Sequence, residues 1–138
     1  MRRAENLRVV EFAMQIAELT YSATRAFPAD ERFGLVSQMR RAAVSIGSNL
    51  SEGCGRSSAT QFAHFIQMAT GSASELEYQA RLSVRLAFGD AAELARLRSL
   101  IQSERRMLAK LVERIRTVLP SPKSEAGQPP MRAEKRGA

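Results

Sequence analysis

Apolar side chains recur along most of the chain at alternating steps of three and four residues, the spacing of one face of an α-helix. The pattern is clearest in the last such segment, whose face reads Leu94, Leu97, Ile101, Glu104, Leu108, Leu111, Ile115 and Val118. Only Glu104 interrupts this apolar seam. A seam of this kind packs against neighbouring helices as in a coiled coil. We therefore expect a long helix with one buried face.

Two earlier segments have the same periodicity. One face of the first carries Leu35, Met39, Ala42, Ile46 and Leu50, and one face of the other carries Phe62, Ile66, Ala69, Ala73, Leu76, Ala80, Val84 and Ala87. A further helical segment precedes both and stops before Pro28. No strand is predicted anywhere in the chain.

Capping and helix-breaking residues set the limits of the four predicted helices at residues 5–26, 30–53, 58–88 and 90–119. Asp30 is a plausible N-cap of the second helix, and Gly53 is expected to close it in the left-handed conformation. Ser57 or Ser58 starts the third helix, and Asp90 starts the fourth. Short connections between long amphipathic helices make antiparallel neighbours. We therefore predict an all-α, up-down-up-down antiparallel four-helix bundle over residues 1–119.

Two of these helices are more apolar than one core requires. The first confines its polar groups to one strip, and the third has a second apolar stripe of Met68, Leu82 and Leu86. Either the first helix is simply well buried in a small bundle, or the extra apolar surfaces join copies of the chain. The second interpretation predicts a homo-oligomer.

The composition changes after the predicted fourth helix, and the cysteine count and the apolar runs of the chain indicate the cellular compartment. Residues 120–138 are rich in Pro, Gly and charge and predict a disordered basic tail. The chain has one Cys, which excludes an intrachain disulfide and fits a reducing compartment. No run approaches the ~20 apolar residues of a membrane span, and no segment has the pattern of a signal peptide. We expect a cytoplasmic protein.

Positive charge is the strongest compositional signal. The formal net charge is +7, and residues 96–116 of the predicted fourth helix, with seven basic and two acidic side chains, carry a net +5 that equals the whole basic excess of residues 1–119. Its basic residues are Arg96, Arg98, Arg105, Arg106, Lys110, Arg114 and Arg116. They have few acidic partners four residues away, although a merely solvated charged face remains the alternative. No aromatic residues interleave them, so any nucleic-acid binding through this helix would use backbone phosphates without reading bases.

The stretch from Gln38 to Ser58 is rich in glycine and serine, yet its glycines fit neither a Walker motif nor a dinucleotide motif, and no strand precedes them. As a helix, it places Gln38, Ser45 and Asn49 together beside the apolar face, with Arg41 and Glu52 just outside. Ser72 and Glu75 of the third helix are the candidate partners. This polar seam either fixes the register of the helices or forms a ligand or catalytic site.

The constellations that catalysis requires are mostly missing. His64 is the only histidine, and Cys54 lies ten residues before it with no evident orienting acid. No Glu is followed by a His three residues later, as a di-iron bundle requires. Glu75 and Glu77 face different ways, and Glu77 lies where it can meet an arginine. We expect no enzyme, no metal and no cofactor.

Two stretches carry a family resemblance: "FPADERFGLVSQMRRAAVSIGSNLSEGCGR" from Phe27 to Arg56, and "GSASELEYQ" from Gly71 to Gln79. They resemble the bacterial four-helix-bundle proteins named for intervening sequences in 23S ribosomal RNA genes, which are similar to the accessory variability protein of diversity-generating retroelements. The resemblance implies a homopentameric, barrel-like ring and no enzymatic activity. For the retroelement branch it also implies nucleic-acid binding in partnership with a reverse transcriptase.

Two hypotheses of function follow from these observations. The first is a non-enzymatic oligomeric bundle that binds RNA or DNA through backbone phosphates. The alternative is a structural or protein-docking scaffold whose basic surface meets an acidic partner.

Overall fold

The computed structural model describes residues 2–118, and these residues form four helices and no strand. The helices are α1 (Arg2–Thr24), α2 (Leu35–Cys54), α3 (Ala59–Arg85) and α4 (Ala91–Val118), with one turn of 3-10 helix at Ala29–Glu31. The prediction of an all-α chain with four helices is confirmed. The predicted disordered tail of residues 120–138 lies outside the described residues.

Local side-chain hydrogen bonds begin two of the helices where the sequence predicts. Ser58 is the N-cap of α3, and its Oγ accepts a hydrogen bond from the Gln61 N–H at 3.3 Å. The carboxylate of Asp90 accepts from the N–H groups of Ala92 at 2.7 Å and Glu93 at 3.1 Å. Both side chains satisfy backbone donors that the first turn of a helix leaves unpaired.

The predicted N-cap at Asp30 is wrong. After Pro28 the chain makes the 3-10 turn, and α2 begins only at Leu35, with Gly34 as its N-cap. The carboxylate that reaches the start of α2 belongs to Glu31, which accepts from the Leu35 N–H at 3.1 Å.

The predicted left-handed closure at Gly53 is also wrong, because Gly53 lies inside α2 and the helix continues to Cys54. Its lack of a side chain serves packing instead. A Cβ atom at Gly53 would lie 2.8 Å from Cβ of Phe65 on α3. The left-handed residues come after α3, at Ala87 (φ 57°) and Gly89 (φ 68°). Gly89 leaves room for the ring of Phe27, so this turn packs on the end of α1.

The four helices pack around one apolar core. Within the described residues, the backbones of α1 and α3 each approach α2 and α4, whereas α1 and α3, like α2 and α4, face each other diagonally without close approach of their backbones. The predicted seam of α4 is buried from Leu94 to Ile115, and Met39, Ile46, Ile66 and Leu76 complete the centre. None of the described helices is long and apolar enough to cross a membrane.

Among the described residues, Glu104 is the one acidic side chain that is buried in this core. Its side chain is 0% exposed, and neither carboxylate oxygen has a hydrogen-bond partner among the described residues. Ser22 donates to Glu93 at one end of the α1–α4 contact, and Glu5 pairs with Arg114 at the other. Glu104 lies midway along α4 between these two contacts.

Burial determines the ionisation state of this carboxyl group. Removal from water penalises the charged form and raises the pKa of Glu104 to about 8. At neutral pH the folded protein therefore carries Glu104 as a neutral acid, whereas the unfolded chain carries it ionised.

This difference predicts a pH-dependent stability. The pKa is raised on folding, so the folded state holds a proton that the unfolded chain loses above about 4.5, its ordinary pKa. The free energy of unfolding should fall as pH rises from about 4.5 towards 8, by up to ~1.4 kcal/mol per pH unit. In Glu104→Leu the fall should be smaller and stability at pH 8 higher, as denaturant unfolding across this range would reveal.

The control is Glu113→Gln, which removes an exposed carboxylate from the same helix. It should keep the pH dependence of the parent protein. Parallel stability profiles for the parent and Glu104→Leu between pH 4.5 and 8 would contradict the assignment.

Candidate nucleic-acid interface

The basic residues predicted on the fourth helix lie on the outside of α4, because the opposite face of that helix is buried. We call them the α4 basic strip. Six of the seven are exposed and Arg98 is half-buried; the set is Arg96, Arg98, Arg105, Arg106, Lys110, Arg114 and Arg116. The structure thus places all seven cations on one helix with most of their side chains in water.

Two members of the strip are paired with carboxylates from other helices. Arg105 donates to Glu77 of α3 at 2.6 Å, and Arg114 pairs with Glu5 of α1. The sequence places Glu77 where it can meet an arginine. It does not identify Glu5 as the partner of an arginine, because spacing along α4 reveals only partners on the same helix. These ion pairs reduce the free positive charge at the two edges of α4.

The remaining members keep their charge available. Arg96, Lys110 and Arg116 form no ion pair or hydrogen bond with the described residues, and Arg106 donates only to the neutral Ser103 hydroxyl at 3.2 Å. Nε of Arg98 is buried without a partner in the described part of the chain. Phosphate oxygens are the natural acceptors for such unpaired guanidinium and ammonium groups.

Two hollows flank the strip and extend it onto neighbouring helices. One, of about 390 Å³, lies between α3 and α4 beside Thr70, Gln102, Arg105 and Arg106. The other, of about 250 Å³, lies between α1 and α4, where Arg8 joins Lys110 and Arg114, and Glu5 is its acidic lining residue. Arg8 is a cation that the pattern of α4 could not reveal, since it comes from a different helix.

Only three of the seven residues predicted for the polar seam form one hydrogen-bonded network in the structure. Ser45 and Ser72 share a hydrogen bond of 2.9 Å between their hydroxyl oxygens, which joins α2 to α3. Nδ2 of Asn49 donates to the Ser45 carbonyl at 2.8 Å and to its hydroxyl at 3.1 Å. All three side chains are half-buried. The structure brings these three residues together as one network between two helices.

The other predicted members of the seam lie apart from this network. Gln38 and Arg41 are exposed. The carboxylate of Glu52 pairs with Arg56 at 2.9 Å, and that of Glu75 accepts from Nε2 of Gln79 at 3.2 Å. Within the described residues, the seam therefore has no cluster of charged groups around its serines.

Cys54 and His64 are both exposed. The imidazole of His64 meets the ring of Phe65 edge-on, with centroids 5.7 Å apart. Although the residue is exposed, partial desolvation by neighbouring atoms raises the pKa of the Cys54 thiol, which disfavours the thiolate that a nucleophile needs. Among the described residues no group of three or more His, Cys, Asp or Glu is placed to hold a metal ion.

Exposed apolar side chains form two surfaces. The first is a groove of about 350 Å³ between α1 and α2, lined by Val10, Met14, Ala17, Val44 and Gly47 among others. The second lies on α3, where Met68 and Leu86 of the predicted stripe are 45% and 48% exposed and Tyr78 is 65% exposed. Leu82 of that stripe is half-buried. We call these surfaces the α1–α2 groove and the α3 stripe.

Comparison with known proteins gives a family and a fold. The chain matches the family described as 23S rRNA-intervening sequence protein over residues 5–110. It is also similar to a crystal structure of a protein with unknown function from the S23 ribosomal protein family of Bacteroides thetaiotaomicron VPI-5482. The TM-score is 0.65 at 20% identity, and the match covers 80% of this chain and 96% of that one. No curated protein sequence matches the chain.

The hydrogen bonds among Ser45, Asn49 and Ser72 predict that residues of α2 and α3 contribute to stability in a coupled way. Ser45→Ala should lower the free energy of unfolding by about 1 kcal/mol relative to Ser99→Ala, because it leaves Ser72 and Asn49 short of a partner. Ser99 is an exposed serine of α4, and its substitution corrects for the higher helix propensity of alanine.

Thermal or denaturant unfolding of the double variant Ser45→Ala/Ser72→Ala completes the measurement. Its loss of stability should be smaller than the sum of the single losses, since both substitutions remove the same hydrogen bond. Additive losses would show that the two hydroxyls do not interact.

Proposed function

The chain belongs to the 23S rRNA-intervening sequence protein family, and we propose that it is a non-enzymatic, oligomeric four-helix bundle that binds RNA or DNA through backbone phosphates. The observation that carries the proposal is the α4 basic strip, in which most cations are exposed and, within the described chain, only Arg105 and Arg114 are paired with carboxylates. The proposed binding needs no cofactor or metal. The likeness to the accessory variability protein adds a reverse transcriptase as a candidate partner, and we place the protein in the cytoplasm.

The proposed bundle is antiparallel, with each helix running opposite to the two it contacts. Contacts between α1 and α4 support this topology, since Ser22 near the end of α1 meets Glu93 near the start of α4. At the other end, Glu5 near the start of α1 meets Arg114 near the end of α4. The close approach of Gly53 at the end of α2 to Phe65 near the start of α3 supports the same arrangement.

The proposed oligomer is a ring built from the α1–α2 groove of one copy and the α3 stripe of the next. These surfaces belong to different sides of the bundle, because α1 and α3 face each other diagonally without close approach of their backbones. An interface between two different surfaces is head-to-tail, and such an interface closes into a ring when the rotation between copies allows it. Resemblance to the family suggests five copies, in which the α4 basic strip would be repeated five times.

The alternative function is a protein-docking scaffold. It is favoured by the ion pairs of Arg105 and Arg114, in which carboxylates from other helices already satisfy part of the strip. An acidic protein surface would meet the remaining cations in the same way.

Salt dependence of binding separates these functions. The variant Arg96→Gln/Arg106→Gln/Lys110→Gln removes three cations that have no carboxylate partner in the described chain and keeps good helix propensity. Plotted against log salt, log affinity of the parent for labelled oligonucleotides should fall linearly. The slope of the variant should be shallower, by ~0.7–0.9 for each phosphate that it no longer neutralises. The weakening should be similar for unrelated sequences, since interactions with the backbone do not read bases.

A matched control is Arg25→Gln/Arg81→Gln/Arg85→Gln, which makes the same change in net charge at exposed arginines outside α4. It should keep the slope of the parent. Absence of binding in the parent would favour the scaffold instead, and equal weakening in both variants would contradict the assignment of the binding to α4.

A mixing experiment tests the ring. Met14→Glu should disable the groove and Met68→Glu the stripe, so that each variant alone should be a monomer of 15.2 kDa by light scattering. Mixed together, the two variants retain one intact groove and one intact stripe between them. The mixture should therefore form a dimer and nothing larger, whereas the parent forms a higher multiple. A mixture that stays monomeric would contradict a head-to-tail interface.

A further inference from the structure

A second basic surface lies on the side of the bundle away from α4. An open groove of about 620 Å³ runs between the C-terminal part of α1 and the first half of α2. It is separate from the α1–α2 groove described above, with which it shares only Val44. Its lining includes the cations Arg32, Arg40 and Arg41 and the aromatic rings of Tyr21 and Phe33, with Ser37 and Ser45 as neutral polar residues, and no acidic residue of the described chain lines it. The volume falls within the range of roughly 300–1,000 Å³ that is typical of ligand sites.

Phe33 is the most exposed large apolar side chain of the described residues, at 89%. It stands between the 3-10 turn and α2, where the chain reverses direction. The guanidinium of Arg32 lies 5.6 Å from the centre of its ring. An aromatic ring that is almost fully exposed leaves its apolar surface in water, which is unfavourable in the isolated protein. Next to a cation, such a ring offers a platform on which another flat ring can stack.

Arg40 is held in place within the groove. Its guanidinium lies 4.6 Å above the ring of Tyr21, and its Nε donates to Oγ1 of Thr24 at 3.0 Å. Thr24 is itself fixed by a hydrogen bond of 2.7 Å to the Thr20 carbonyl. No carboxylate within the described part of the chain pairs with Arg40. Its terminal nitrogens are therefore preorganised and still available for an anion.

We propose that this groove binds a segment of single-stranded nucleic acid, with a base stacked on Phe33 and a phosphate on the guanidinium groups of Arg40 and Arg41. A cationic groove with an aromatic platform is the general chemistry of single-strand binding, because every base has a face that can stack. A duplex keeps its bases stacked on each other and cannot offer one to Phe33. This inference rests on the proposed nucleic-acid binding and assigns it a strand preference and a second site.

The groove and the α4 basic strip have different roles in this proposal. The strip carries cations without aromatic rings and attracts single and double strands alike. The groove combines both kinds of side chain and distinguishes single strands from duplexes. Since α2 and α4 face each other diagonally without close approach of their backbones, the two sites are on separate sides of one copy.

Substitution of Phe33 tests the stacking interaction without changing charge. Phe33→Leu should weaken binding of a single-stranded oligouridylate about tenfold, while its affinity for duplex and its salt slope stay at the parent values. Phe33→Trp should restore or tighten single-strand binding. The control is His64→Leu, which removes another exposed aromatic ring, on α3 but outside the α3 stripe. Because Phe33 is 89% exposed, none of its variants should lower the melting temperature.

Photocrosslinking locates the site directly. An oligonucleotide that contains 5-iodouridine should crosslink within the peptide that includes Phe33, as mass spectrometry would show, and Phe33→Leu should abolish that crosslink. Equal affinity of the parent and Phe33→Leu for single strands, with weaker binding confined to the α4 variant, would overturn this inference and leave the proposed function intact. If the parent binds no nucleic acid at all, both fail.

Two other occupants give distinct results. If a second copy of the chain covers the groove, Phe33→Leu lowers the mass of the assembly, and the proposal is overturned. If an acidic protein segment is the ligand, polyglutamate of equal charge displaces the oligonucleotide from the parent and binds Phe33→Leu equally well. That result also overturns it.

Discussion

Burial of four apolar helix faces against one another is the constraint on which the rest of this molecule depends. The distance between two packed helices depends on the side chains at their contact, and small residues allow the closest approach. Ala13, Ala43 and Ala73 are all buried, and Gly53 admits Phe65 where a methyl group would collide. Because these faces are buried in the core, most charged side chains lie on the outer surface. The location of the basic residues is thus a consequence of how the helices pack.

The sequence predicts well those features that depend only on residues close together along the chain. The spacing of Leu97, Ile101 and Leu108 identifies the buried face of α4, and Asp90 caps this helix through hydrogen bonds to residues two and three positions later. Such patterns need no knowledge of the rest of the fold. They are sufficient to give the number of helices and the class of the chain.

The features that the sequence does not predict depend on contacts between distant residues. Gly53 resembles a helix-ending glycine, and only the position of Phe65 shows that it is a packing glycine within α2. The pairing of Arg114 with Glu5 links opposite ends of the described chain. The groove around Phe33 likewise needs Tyr21 beside Arg40, which are on different helices. The sequence of α4 contains cations without aromatic rings, whereas the fold assembles both kinds of side chain elsewhere.

The neutral acid at Glu104 also bears on how the chain reaches its folded state. In the unfolded chain the carboxyl group has its ordinary pKa of about 4.5, so at pH 7 only roughly one molecule in 300 carries the proton. The remainder takes up a proton in the course of folding, because the folded state holds Glu104 mostly neutral at this pH. Unfolding at pH 7 therefore releases close to one proton per chain into the buffer, and folding takes it back. One buried carboxyl group thereby couples the folding equilibrium to the protons of the solvent, although no other residue of the seam titrates.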